Sequence, residues 1–385
     1  MIPGIGTEEM EHMAYNIEET REVSCAVWLE AIQGLGRTRL YQLVELAGSA
    51  QKAYQMTPAD VAFLFGQKAS QKWEKHKEQY APEQLYKDYI EKGIQYTFYR
   101  MKDFPDKLKN IPDPPFGIYY RGMLPESDRP SIAMIGARKY SDYGRCMAEQ
   151  FAACFGRNRI TVISGMALGV DGISQRAALK SGGISYGVLG CGVDVVYPET
   201  NRNLYEQLVC QGGVISEYPP GTAPKAGLFP QRNRIISALA DVILVVEARP
   251  KSGTLITVDM ALEQGKEVYV IPGRCTDQLS MGCNRLLRQG ALVATCAEDI
   301  MQDMGWHQMD HTEETTDKQY ENLSKAAVDI LAVLDVLPCT REDIITALAD
   351  GRYGYSVSQI CQGITELELE GLAVRVGGQY KRTQL

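Results

Sequence analysis

The chain has 385 residues, of which 45% are apolar and 23% charged, with a formal net charge of −8. That balance gives room for two or three globular domains and excludes a fibrous or wholly disordered chain. It also excludes blanket attachment to duplex DNA, although the deficit is uneven. Lys and Arg number 16 against 19 Asp and Glu in residues 1–130, 17 against 15 in 131–300, and 7 against 14 in 301–385, so the middle is the one net positive part and is compatible with a local basic groove.

No apolar run reaches the roughly 18 residues of a membrane span. The acidic start MIPGIGTEEMEHMAYNIEE lacks the basic and apolar regions of a secretory signal. The ten cysteines form no CxxC pair or close cluster, which argues against a zinc site or disulfide framework and places the protein in a reducing cytoplasm.

In chain order, residues 1–20 read as a flexible leader. Residues 21–93 read as a helical domain in which CAVWLEAI and RTRLYQLVELAG flank Gln33-Gly34-Leu35-Gly36. Gly-apolar-Gly between helices suits a helix-hairpin-helix or SAM-like module that offers backbone N–H groups to a phosphate, and equally a plain helix turn. The Pro- and aromatic-rich stretch that ends in the strand-like GIYYRG reads as an extension packed on a sheet domain, the two together covering 94–305.

From Ser131 the pattern changes to short apolar runs, SIAMIG, RITVISG, SYGVLGCG, GGVISEY, DVILVVEA, KEVYVIPG and ALVAT, separated by segments of helical period. Continuous apolar character predicts strands buried on both faces, hence an α/β fold with a doubly wound, mostly parallel Rossmann-like sheet. The polar, acidic residues 306–321 have linker composition, and 322–385 predict three helices and a Gly377-Gly378 hairpin, a winged-helix pattern. Its third helix carries Glu366, Glu368 and Glu370 and no cation, which favours a protein-interaction or structural role over DNA docking.

Ligands of such sheets sit beyond the carboxyl ends of the strands. Four of those ends carry polar loops: Gly136 to Ser141, Ser164 to Gly169 followed by Asp171, Gly190 to Asp194, and Lys251-Ser252-Gly253-Thr254. Together with Arg138, Arg232 and Arg234, they predict a site for phosphate. Neither GxGxxG nor GxxxxGK[ST] is present, there is no GxSxG, and His12, His76, His307 and His311 all lie outside 94–305. Asp171, Asp194, Glu217 and Glu247 remain as candidate acids, with helix capping (Asp171) and the ordering of arginines (the others) as the alternative roles.

The motifs GARKYSDYG, SGMALGVDG, VLGCGVDVVYP, ISEYPPGT, FPQRNRIISAL, VVEARPKSGTLIT and PGRCTDQLSMGCNRLLRQGA resemble those of the DNA-processing protein A family (DprA, also called Smf). The resemblance implies a single-stranded DNA-binding recombination mediator, not an enzyme, that protects incoming strands in natural transformation and helps load the RecA recombinase. It further implies a homodimer formed through the sheet domain; with no metal-ligand spacing and no apolar span in the sequence, no cofactor, metal or membrane contact is expected.

By motif, Arg138, Lys139, Ser141, Ser164, Gly165, Gly169, Arg232, Arg234, Lys251, Ser252, Gly253 and Thr254 would form the phosphate site. Phe229 would stack on a base, and Asn233 and Asn284 would hydrogen-bond at the rim. The alternative for Phe229 and Arg234 is a core and bracing role. A related superfamily of nucleotide phosphoribohydrolases places acids after a Gly-Thr turn. Here Leu255, Ile256 and Thr257 follow Gly253-Thr254, so a nucleotide-binding enzyme or sensor is the secondary reading.

Overall fold

The computed structural model describes residues 7–306, 323–334, 338–349 and 354–383. Six helices come first: α1 (Thr7–Glu30), α2 (Arg37–Ala47), α3 (Ala50–Gln55), α4 (Pro58–Phe65), α5 (Gln67–Gln79) and α6 (Pro82–Glu91). Helix α1 begins inside the stretch expected to be a leader. No Gly or Pro interrupts Thr7 to Glu30, and its Glu, Met and Ala are good helix formers, so the acidic composition is that of a helix. Gly34 turns the chain into α2 at φ 84°, a value that glycine adopts without strain.

The helices pack on Trp28, whose indole meets Trp73 edge-on at 5.0 Å and donates to the Tyr80 carbonyl at 2.8 Å. This core continues into the sheet through Phe98, Phe116 and Tyr119, so the helical module is fused to the sheet edge.

That edge is β1 (Gln95–Phe98) and β2 (Gly117–Gly122), with α7 (Asp106–Lys109) between them. The sheet proper alternates with helices: β3 (Ser131–Ile135), α8 (Asp142–Arg157), β4 (Thr161–Ser164), α9 (Val170–Lys180), β5 (Ser185–Val188), α10 (Arg202–Gln211) and β6 (Gly212–Ser216), then α11 (Leu228–Leu239), β7 (Val242–Val245), α12 (Gly253–Glu263), β8 (Glu267–Val270), α13 (Met281–Arg288), β9 (Leu292–Val293) and α14 (Ala297–Asp303). The order across the sheet is β1-β2-β6-β5-β4-β3-β7-β8-β9. Strands β3 to β9 pair in parallel, whereas β2 runs antiparallel to both β1 and β6. GIYYRG is thus a strand, as its pattern predicts, and it pairs into the sheet itself.

Both faces are covered, as the unbroken apolar runs require. Along β3, Ile132 and Met134 face Phe151 and Phe155 of α8, while Ala133 and Ile135 face Ile235, Ile236 and Leu239 of α11. The chain winds outward from β3 to β6, returns, and places β7 on the other side of β3. The β3/β7 boundary is therefore the topological switch point, where loops diverge and leave a crevice.

Beyond the sheet come α15 (Lys325–Val333), α16 (Arg341–Ala349), α17 (Val357–Leu369) and the antiparallel pair β10 (Ala373–Val376) and β11 (Gln379–Arg382). Gly363 lets α17 cross α15 closely, since a Cβ there would lie 2.5 Å from Ile330 Cδ1. Glu366 accepts hydrogen bonds from Ser324 N (2.7 Å) and Oγ (2.6 Å), so one of the two acids of α17 secures the start of α15. The linker expected over 306–321 falls, apart from Trp306, outside the described residues.

Where α1 meets β1 and β2, the Glu30 carboxyl is buried beside the Tyr96 and Tyr119 hydroxyls. Burial pushes its pKa from 4.5 up to about 8; Tyr96 pulls it back, and Glu217 adds to the rise. Between those values the unfolded chain is ionised here and the folded chain protonated, so this group's contribution to stability falls as pH rises through the window and levels off above about 8. Glu30→Gln, which mimics the protonated form, should raise the melting temperature at pH 7 to 8 and flatten its dependence on pH. An unchanged pH profile in thermal unfolding would contradict a neutral Glu30.

Candidate nucleic-acid interface

At the switch point the carboxyl ends of β3, β4 and β7 open into a cleft of about 640 Å³, within the size range of small-ligand sites. Its floor is Arg232 of α11, only 4% exposed. The guanidinium Nη1 donates to the carbonyls of Gly165 (2.9 Å), just after β4, and Val188, the last residue of β5, and Nε donates to Asn233 Oδ1 (3.2 Å). Burial lowers the Arg232 pKa to about 10, with Asp171 opposing the shift, so the group stays charged at neutral pH.

Asp171 accepts from Gly165 N at 3.1 Å; burial raises its pKa, and Arg232 pulls it back. Gly165 fits because a Cβ would come within 2.7 Å of both Arg232 Nη2 and Asp171 Oδ2.

The loops above the floor are fastened to one another. Gly169, at φ 83°, lies so close to the β3 loop that a Cβ would meet the Ala137 carbonyl at 2.3 Å, and Val170 N donates to that carbonyl (3.2 Å). Ser141 caps α8, and its N and Oγ donate to Glu247 at 3.0 and 2.5 Å, which ties the β3 loop to the end of β7. Ser252 caps α12, and Thr254 Oγ1 donates to the Gly136 carbonyl (3.2 Å). These anchors leave Arg138, Lys139 and Lys251 exposed on opposite sides of the cleft, each without an ion pair among the described residues. Arg249, exposed at the same rim and likewise unpaired, has no role in the sequence reading.

Among the expected site residues, Arg138, Lys139, Phe229, Arg232, Asn233, Lys251, Ser252, Gly253 and Thr254 line the cleft. Gly165, Gly169 and Ser141 shape it from behind. Arg232 does so as a buried clamp whose charge reaches the cleft from below, not as a free cation.

Three residues stand elsewhere. Ser164 is buried and donates to the Met134 carbonyl at 2.6 Å. Asn284 exchanges hydrogen bonds with the Gly273 backbone. Arg234 is a correction: it does not converge with Arg232. Two residues apart on α11, the two guanidiniums leave different sides of the helix. Arg234 is buried and pairs with Glu217 through Nη1 (2.7 Å) and Nη2 (2.5 Å), while its Nε donates to the Asp113 carbonyl (2.7 Å). Burial alone would lower its pKa, but Glu217 and Asp113 outweigh that and raise it. Arg37 of α2 also pairs with Asp113, so this network joins the helical module, the Pro-rich segment and α11.

The four candidate acids are also committed. Asp171 holds Gly165 N, Asp194 accepts from Gly221 N (2.8 Å), Glu217 holds Arg234, and Glu247 holds Ser141. Only Glu217 orders an arginine by direct contact; Asp194 and Glu247 bind backbone and hydroxyl groups, and Asp171 braces the preceding loop instead of capping its own helix.

The chain matches the family model described as DNA recombination-mediator protein A over residues 95–305. Protein Smf of Escherichia coli K12 is 34% identical over 286 residues, 72% of this chain and 75% of that protein. DNA processing protein DprA of Streptococcus pneumoniae R6 is 38% identical over 198 residues, 51% of this chain and 70% of that protein. The crystal structure of DNA processing protein A from S. pneumoniae superposes with a TM-score of 0.64 at 30% identity, covering 73% of this chain and 97% of that one. A structure of the Helicobacter pylori protein, described for its single-stranded DNA binding mode, gives 0.50 at 28% identity, covering 55% and 98%.

Arg234→Ala strands Glu217 in a buried setting and should cost about 3–5 kcal/mol of stability, read as a lower denaturation midpoint. Replacing both partners, Arg234→Met with Glu217→Leu, should recover most of that loss. A midpoint unchanged by Arg234→Ala would contradict the bracing role.

Proposed function

This chain belongs to the DNA recombination-mediator protein A family, and on that premise we propose that it binds single-stranded DNA in the switch-point cleft, as a mediator of recombination on incoming strands and without turning them over. The observation that carries this reading is the set of exposed cations, Arg138, Lys139, Arg249 and Lys251, without ion pairs among the described residues, around a cleft that is also walled by Phe229 and Tyr197. Exposed cations attract a phosphate backbone, and an aromatic face accepts any base, which is the combination that sequence-independent strand binding uses.

The H. pylori relative's single-stranded DNA binding supports the same ligand class. Binding without chemistry is supported by the commitment of Asp171, Asp194, Glu217 and Glu247 to structural hydrogen bonds and by a sheet domain whose sequence holds no histidine.

Two further parts of the proposal are loading of a RecA-type recombinase and self-association through the sheet domain in the cytoplasm. The exposed apolar side chains Leu262, Met281, Leu292 and Val293 on α12, α13 and the edge strand β9 support self-association at that end. Sedimentation of the full chain checks the dimer, which a monomer at micromolar concentration would refute. Filament assembly on strands coated with single-strand-binding protein checks loading, which assembly no faster than without the chain would refute. No helix among the described residues is long and apolar enough to cross a membrane.

For the binding itself, Arg138→Ala combined with Lys251→Ala should weaken affinity for a single-stranded oligonucleotide by about tenfold or more and make the plot of log K against log salt shallower by about 1.4, for two lost phosphate contacts. Gel shifts at several salt concentrations measure both. Unaltered affinity and slope would remove the cleft from the binding surface.

A further inference from the structure

Stacking requires a ring with an accessible face, and Phe229, half-buried at the cleft, already gives one face to Tyr197. Its ring packs on the backbone at Gly190, where a Cβ would lie 2.7 Å from Cδ1, and against the ring of Tyr197, with centroids 5.4 Å apart and planes at 29°. That is an offset stack of the favourable kind. Tyr197 is 45% exposed and lines the cleft.

The segment that carries Tyr197 is anchored at both sides. Val195 N donates to the Gly192 carbonyl (2.9 Å). Four residues beyond the tyrosine, Asn201 Nδ2 donates to the Met166 carbonyl (3.0 Å), and its Oδ1 accepts from Arg176 (2.6 Å). The ring is therefore supported from behind by Phe229 and open in front, with a cationic rim formed by Arg138 and Lys139 on one loop and Arg249 and Lys251 on another.

We propose that Tyr197 is the platform on which a nucleobase stacks in this cleft, and that Phe229 is its backing ring. This inference rests on the single-stranded DNA reading given above and assigns the base-contacting role to a residue outside the expected set. Stacking on a tyrosine face is open to every base, so the ligand is a flexible strand with at least one base turned out of its own stack, flanked by phosphates that the two cationic loops hold. A duplex, whose bases stay inside, offers Tyr197 nothing to stack on.

The test uses the full chain and an oligonucleotide with a single 2-aminopurine, whose fluorescence is quenched on stacking. Wild type should bind with strong quenching, and Tyr197→Phe should keep both affinity and quenching. Tyr197→Leu, which retains bulk without a ring, should lose the quenching and about tenfold in affinity. Circular dichroism and the melting temperature should show that variant folded, as expected for an exposed side chain. Phe229→Leu should give a smaller loss, because the platform remains. Wild-type quenching and affinity in Tyr197→Leu, with both abolished in Phe229→Leu, would overturn the assignment while leaving single-strand binding in place. Absence of binding by wild type would overturn the functional reading and this inference together.

Discussion

A guanidinium buried where two parallel strands end is the constraint on which the cleft depends. Arg232 gives up its water for the carbonyls of Gly165 and Val188 and for the field of the Asp171 carboxylate. A cation in that position is costly unless its donors are satisfied, so the loops after β4 and β5 must hold their carbonyls in place, and residue 165 must be a glycine to let the charge approach. In return, positive charge lies beneath the crevice at a fixed point. An anion entering from the rim meets the exposed cations first and the buried one last.

The neighbouring arginine serves the architecture. Arg234 closes a chain of charges that runs from Glu217 at the end of β6 through Asp113 to Arg37 of the helical module. With the shared aromatic core around Phe98, Phe116 and Tyr119, this network makes the N-terminal helices part of the sheet edge. The C-terminal helices and hairpin instead have their own core around Ile330, Ile360 and Leu367. The two flanking modules thus relate to the sheet differently: one extends its core, the other builds a separate one.

Most of the sheet was legible because burial on both faces leaves an unmistakable mark in β3 to β8, a run of apolar residues with no alternation. Strand β9 is only Leu292–Val293 and exposed, so ALVAT overstated it. The strand-end loops were legible through their glycines and hydroxyls. What those loops do with individual side chains was not, because a short motif such as FPQRNR does not tell which cations face solvent. Helical geometry alone would have separated Arg232 from Arg234, since positions i and i+2 do not share a face. Tyr197 was not legible, because nothing local in the sequence distinguishes a platform from a core tyrosine; what marks it is its stack on Phe229 together with its exposure to the cleft. The start of α1 is marked only by the absence of any Gly or Pro from Thr7 to Glu30, a fainter signal than an apolar run.

A strand of DNA bound as proposed would lie in the switch-point cleft, over the buried Arg232 and between the two cationic loops. Photocrosslinking with oligonucleotides that carry single 5-iododeoxyuridine substitutions, followed by mass spectrometry of the linked peptides, locates the contact without altering the protein. Crosslinks are expected on peptides from residues 138–140, 197–198, 229–233 and 249–256, abolished by excess unlabelled single strand and not by duplex. Crosslinks confined to the N-terminal helices or to the C-terminal module would contradict that placement.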